Sequence, residues 1–305
     1  MTDFPAFERY RGLIEPFDDF IAAIERPLPK CIWANPSRID RDTLKERLER
    51  QGLTSRPSKL HPWALILDNP EAAPGNTLEY QLGLYHVQEE VAMTACMALD
   101  PQPGARVLDM CAAPGNKTAL AAAMMGNRGT IVANELKTAR LAGLRYNLER
   151  LGIGIVAISH LNGSGIPLRV GPFDAIMVDA PCSCEGTVRR FPNVGSGMTE
   201  RLRQRIARTQ GHILQRGLRL MRKGGTLVYS TCTFAPEENE MVLQAVLDPK
   251  DRIVPFETPG FVGHPGLQQW QGQTLRDDMV HTRRYYPHDN DSGGFFVARI
   301  EVNAP

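Results

Sequence analysis

After Gly104, short apolar runs alternate with helical segments at regular intervals, and this alternation leaves few possible folds. The runs are 106–110, 129–133, 154–159, 173–178 and 225–230. Between the first four lie segments of helical pattern such as 118–125 and 138–151, the latter stopped by Gly152. Strands that alternate with helices build a parallel sheet covered on both faces. One further run, 293–300, follows a polar loop and suits an edge strand.

The first eighty-odd residues lack this rhythm. Phe17, Phe20, Ile21 and Ile24 fall on one helix face, and Thr43 with Glu46 forms a possible capping box for a helix that Gly52 stops. Loops rich in Pro, Gly and Asn precede a helix expected over 87–99. A chain of 305 residues has room for about two domains. We therefore place a boundary near residue 85, with a small α+β region over 1–85 and the α/β domain over 86–305.

In a doubly wound sheet, ligands bind outside the carboxyl ends of the strands. The first strand of the α/β domain runs into Cys111-Ala112-Ala113-Pro114-Gly115-Asn116-Lys117, a turn of small residues leading to a helix N-terminus. It is neither Gly-x-Gly-x-x-Gly nor a P-loop, so a cofactor without a pyrophosphate fits better. The second strand ends at Glu135, which places a carboxylate where the ribose hydroxyls of a nucleoside would lie.

Four stretches in this order, Asp109-Met-Cys-Ala-Ala-Pro-Gly-Asn-Lys-Thr, Val178-Asp-Ala-Pro-Cys-Ser, Tyr229-Ser-Thr-Cys-Thr and Gly294-Phe-Phe-Val-Ala-Arg, resemble the RNA cytosine-5 methyltransferases of the NSUN (Sun/Fmu, RsmB/RsmF-like) family. The resemblance runs from about residue 80 to the end, and more loosely through the N-terminal part. It implies a class I S-adenosylmethionine-dependent methyltransferase, with a Rossmann-like and mostly parallel sheet, preceded by an RNA-binding α+β region. It also implies that residues 111–117 wrap S-adenosylmethionine, that Glu135 holds its ribose, and that Asn162 and Asp179 complete the site. Asn162 stands where the family usually has aspartate.

Cysteines end two of the apolar runs, Cys182 in Asp179-Ala-Pro-Cys-Ser-Cys184 and Cys232 in Ser230-Thr-Cys-Thr. If the two strands are neighbours about 5 Å apart, both thiols rise at one sheet edge beside the cofactor loop. Carbon 5 of cytosine is a poor nucleophile until a thiolate adds at carbon 6, so methylation there needs one thiol to attack and help for its later departure. The sequence leaves open which thiol does which. The resemblance assigns attack to Cys232 and release to Cys182, with Asp179 on the edge of the base; DNA cytosine-5 enzymes attack from the Pro-Cys motif instead. Cys184 departs from the family's usual glycine and reads as a packing variant or, less simply, a redox partner of Cys182.

The other cysteines bound the setting. Six in all show no paired zinc spacing and are too few for a disulfide scaffold; Cys31 and Cys96 read as small buried hydrophobes. No metal is expected. The start has no secretory pattern and no apolar run reaches spanning length, which gives the expectation of a cytoplasmic protein, not bound to a membrane and monomeric.

Net charge is only +1, yet residues 189–223 carry ten basic side chains against the single acid Glu200. Arg201, Arg205 and Arg208 share one helical face, Leu202, Ile206 and Ile213 another, and Arg189 and Arg190 lie in the loop before them. These arginines are expected to meet the phosphates of an RNA, ribosomal in preference to transfer RNA. The last strand lies close to Pro305, so no further RNA-binding domain is expected beyond it. The alternatives are a DNA cytosine-5 methyltransferase and a catalytically silent RNA-binding assembly factor.

Overall fold

The computed structural model describes residues 4–303. A small antiparallel sheet comes first, formed by β1 (Cys31–Ala34), β2 (Ser55–Pro57), β3 (Ala64–Leu67) and β4 (Tyr85–Val87) in the order β2-β3-β1-β4. Beside it lie α2 (Arg41–Glu49) and α3 (Leu78–Gln81), whereas α1 (Phe17–Ile24) packs away from this sheet, against Val188, Phe234 and Tyr286. The cap of α2 is Asp40, whose carboxylate accepts from the Thr43 backbone N–H, so the box opening at Thr43 is not formed. Asp40 is the better acceptor because an ionised oxygen satisfies the orphan N–H more strongly than a hydroxyl does. The helix expected over 87–99 is shorter. Residues 85–87 pair with β1, and α4 runs only over Met93–Leu99.

The second sheet contains β5 (Arg106–Asp109), β6 (Thr130–Asn134), β7 (Val156–Ser159), β8 (Phe173–Asp179), β9 (Met221–Thr231), β10 (Arg252–Ile253) and β11 (His264–Pro265). A separate hairpin, β12 (Gln269–Trp270) and β13 (Gln273–Thr274), precedes β14 (Arg283–Tyr285) and β15 (Phe295–Val302). The order is β11-β14-β15-β9-β8-β5-β6-β7, with β5 to β9 parallel and β14 and β15 antiparallel. This is the class I methyltransferase architecture. The connecting helices are α5 (Asn116–Met124), α6 (Thr138–Leu151), α7 (Glu200–Leu220) and α8 (Glu240–Val246), with a short α9 (Pro287–Asn290) before β15. β15 is not the edge strand its sequence suggests. It pairs with β9 on one side and with β14 and β10 on the other, and its burial on both faces requires the apolar run Phe295-Phe-Val-Ala.

Alternation along each strand sends side chains to two separate cores. Val107, Met177 and Val228 pack with Leu120 and Leu144 on one face, while Leu108, Ile176 and Leu227 pack with Ile213, Leu214 and Leu243 on the other. Each such side chain contributes about 1.5–3 kcal/mol when fully buried. Cys31 and Cys96 sit in the first core, 2% and 0% exposed. β5 is flanked by β6 on one side and β8 on the other, so the chain reverses direction of sheet growth there. That reversal opens a crevice at the carboxyl ends of β5, β6 and β8.

Candidate active site

The loop after β5 is shaped by its own backbone and by α6. The Ala112 N–H donates to Asn134 O at 2.8 Å, and the Gly115 N–H to Ala112 O at 2.7 Å. Gly115 caps α5 at φ +101°, where a Cβ would meet Leu144 Cδ1 at 2.9 Å; only glycine suits this position. Asn147 Nδ2 donates to Pro114 O at 2.9 Å, and Arg140 donates to Ala113 O. Asn116 Oδ1 lies 3.0 Å from His86 Nε2 on β4, tying the loop to the small sheet. Beneath the loop, Asp109 accepts from the Thr118 hydroxyl at 2.6 Å, and burial pushes its carboxyl up to about 6.

Glu135, at the end of β6, is 4% exposed. One carboxylate oxygen accepts from the Lys137 N–H at 2.7 Å and the other from Arg140 at 3.2 Å. A carboxylate offers about four lone-pair sites, so acceptor capacity remains for a ligand. Asn162 is exposed at the crevice rim, its Oδ1 accepting from the Ser164 N–H and hydroxyl at 3.1 and 2.9 Å. Cys111, Ala113, Glu135, Asn162, Asp179, Cys182 and Cys232 all line one cleft of about 510 Å³, within the usual range for small-molecule sites. Ala112, Pro114, Gly115, Asn116 and Lys117 do not line it and act on its wall from behind.

β8 and β9 are adjacent and parallel, with Asp179 level with Ser230. The Asp179 carboxylate accepts from Lys117 Nζ at 2.7 Å and from the Ser230 hydroxyl at 3.0 Å. Burial works to lower the Lys117 pKa, but the carboxylate outweighs it and the net shift is upward. Just beyond these strand ends, Cys182 Sγ lies 3.3 Å from Cys232 Sγ and 3.9 Å from Cys184 Sγ. All three thiols are partly exposed, whereas Ser183, Thr231 and Thr233 beside them are buried. Shared hydrogen bonds set their acidities apart. Cys184 is drawn down by its bonds with Cys182 and Cys232. Cys182 is pushed well up by its bonds to Cys184 and Cys232 and by burial. At Cys232 the bond with Cys182 pulls downward, but Cys184, burial and neighbouring negative charge outweigh it.

The family profile described as 16S rRNA methyltransferase RsmB/F matches residues 96–301, the span that holds the 111–117 loop, Glu135, Asn162, Asp179 and the three thiols. The chain belongs to the RsmB/F family. The ribosomal RNA small subunit methyltransferase F of Escherichia coli O139:H28 is 38% identical over 293 residues, 93% of this chain and 59% of that relative. A mouse 28S rRNA (cytosine-C(5))-methyltransferase is 36% identical over 291 residues, again 93% of this chain but 36% of its own length. The chain thus spans less than two thirds of these curated relatives. Among solved structures, a methyltransferase homolog protein from Pyrococcus horikoshii superposes with a TM-score of 0.83 at 34% identity, covering 94% of this chain and 90% of that one.

This RsmB/F-family chain also holds its thiols with residues that the sequence did not single out. Ser183 and Thr233, each next to a cysteine, bring their hydroxyl oxygens within 2.7 Å, and the Gly186 N–H donates to Cys232 O at 2.9 Å. Behind them Glu185, 1% exposed, accepts from Arg203 at 2.9 Å, from the Thr233 hydroxyl at 3.1 Å and from the Tyr10 hydroxyl. Glu238, fully buried, accepts from the Ser183 N–H at 2.8 Å and from Gln210 at 3.1 Å. Its second oxygen is 3.6 Å from Arg203, an ion pair too long for a hydrogen bond. Arg203 and Gln210 therefore lie on the buried side of α7, while Leu202 and Ile206 are only partly buried. Arg189 is likewise buried, donating to Arg26 O, Pro27 O, Ser292 O and Asp291, so it bolts the N-terminal segment in place and faces no solvent. Arg190, Arg201, Arg205 and Arg208 are exposed.

Proposed function

We propose that this chain transfers a methyl group from S-adenosylmethionine to carbon 5 of a cytosine in structured RNA, ribosomal RNA in preference to transfer RNA. The observation that carries this reading is the pair of partly exposed thiols 3.3 Å apart, in one cleft with Glu135 and Asp179. When bound, S-adenosylmethionine supplies an electrophilic methyl group. The chain's residues do the rest. Cys232 gives up its thiol proton and adds through the freed sulfur electron pair to carbon 6, which makes carbon 5 nucleophilic. Asp179, held by Lys117 and Ser230, takes up that proton and passes it to ring nitrogen 3 as charge develops there. After methyl transfer the proton on carbon 5 leaves, assisted by Cys182, and the bond between carbon 6 and Cys232 breaks to return the thiolate. Glu135 fits the donor through its unused acceptor sites, and the 111–117 loop through Cys111 and Ala113, its two residues that line the cleft. Residues 1–85 serve as an RNA-binding region ahead of a catalytic domain over 86–305, with the exposed arginines of α7 beside the cleft.

Incubation with donor labelled in the methyl group, followed by digestion of the RNA, should yield labelled 5-methylcytidine from small-subunit ribosomal RNA. Label in a DNA duplex alone would support the DNA enzyme instead, and none in any substrate the silent assembly factor.

Glu135→Ala should weaken donor binding about tenfold, because a ribose diol left without its acceptor costs about 1–3 kcal/mol. Calorimetry with unchanged affinity, in a protein that still melts cooperatively, would take Glu135 out of the site. Replacing Arg201, Arg205 and Arg208 together by Gln should flatten the dependence of RNA affinity on salt by about three counterions and leave donor affinity alone. A filter-binding salt series with the same slope as the parent would show these side chains to be no more than a solvated face.

A further inference from the structure

We propose that Cys182, Cys184 and Cys232 form a site for a thiophilic divalent cation, zinc being the natural occupant, whose binding switches the cleft off. The three sulfurs all lie within 4.8 Å of one another, with two of the separations at 3.3 and 3.9 Å. A tetrahedral zinc at about 2.3 Å from each thiolate places its sulfurs about 3.8 Å apart, so small side-chain shifts close the set. All three cysteines line the cleft, which would leave a fourth position for water, the arrangement of three protein ligands with one exchangeable position. Spacing along the chain hides the site, because Cys182 and Cys184 are separated by one residue and their partner comes from the neighbouring strand fifty residues on.

Cys184 is what makes the pair a trio. It sits at φ +60°, the left-handed region in which glycine is at ease and a side chain is strained. A thiol kept in that conformation, aimed at two others, points to use of its sulfur. Binding displaces the thiol protons to solvent, forms three metal–sulfur bonds and occupies the lone pair Cys232 needs for attack; a chelator reverses it. Methyl transfer would then depend on free zinc, while the metal shields the thiols from oxidation.

The test is titration of the full chain, reduced and free of metal, with cadmium followed by its thiolate charge-transfer absorbance, and with zinc in competition. One equivalent should bind with the absorbance of three thiolates. Loss of an outer-shell partner costs metal affinity about 10–100-fold, and loss of a ligand at least as much, so Cys184→Gly should bind about 100-fold more weakly or worse. Cys184→Ser, which keeps the side chain but not the soft ligand, should do the same. In each protein the zinc concentration that halves its own zinc-free methyl transfer should move with the binding constant. Equal affinity in the parent and both variants, or cadmium bound without charge-transfer absorbance, would overturn the site. Since the titration needs no RNA, its result stands whatever becomes of the methyltransferase reading.

Discussion

Cys232→Ala should abolish methyl transfer and leave no protein–RNA adduct on a denaturing gel, while RNA and donor still bind. Cys182→Ala should do something different. Attack and methylation remain possible, but departure of Cys232 is impaired, so a denaturation-resistant adduct should accumulate and turnover should fall by about 10²–10⁴-fold, the usual worth of a proton-transfer group. Both substitutions remove a partly exposed thiol, so neither opens a cavity in the core. An adduct present in the Cys232 variant and absent from the Cys182 variant would make Cys182 the attacking thiol. Full turnover in both would end the covalent mechanism and leave the two cysteines as packing residues.

Arg203→Ala should be strongly destabilising although it lies outside the apolar core. It leaves the carboxylates of Glu185 and Glu238, 1% and 0% exposed, without their shared cation, and breaking a buried pair in this way costs about 3–5 kcal/mol. Calorimetry should show the midpoint lowered by about 6–10 °C. Arg201→Ala, exposed on the same helix, should change it little. The deficit should also depend on pH. Burial already raises the Glu238 carboxyl above the ordinary range, and removal of Arg203 raises it further. A carboxyl whose pKa is higher folded than unfolded binds its proton more readily in the folded state, so stability falls as pH rises from the unfolded value through the folded one. The variant should therefore lie closer to the parent near pH 5 than at pH 8. A deficit that is small and flat across that range would mean that water already relieves Glu185 and Glu238.

Much of the site could be read in the sequence because it lies at strand ends. Asp109, Glu135, Asp179 and Cys232 each follow an apolar run, and in a parallel sheet those ends converge whatever the exact register. The supports behind the thiols were not legible. Arg203 and Gln210 interrupt the apolar face of α7, and in a sequence a buried charge looks the same as a solvated one until its partner is known. Those partners, Glu185 and Glu238, lie in single 3-10 turns too short to show a periodicity that would place them. Arg189 illustrates the converse: it was counted with a basic surface, but four acceptors contributed by residues far from it in sequence draw it inside. The edge position expected of β15 failed for a related reason, since β10 and β14 are too short to announce themselves as strands.

The spacing of the two sulfurs also bears on stereochemistry. A flat base slid between them would need about 3.5 Å of contact on each side, or about 7 Å in all, and the gap is 3.3 Å. In the covalent mechanism proposed above, both thiols would therefore approach the same face of the ring. Once carbon 5 becomes tetrahedral, its hydrogen and its new methyl group point to opposite faces, and only a hydrogen on the thiol face is within reach of Cys182. It follows that the methyl group arrives from the other face, so that sulfur and methyl add across the double bond in the anti sense.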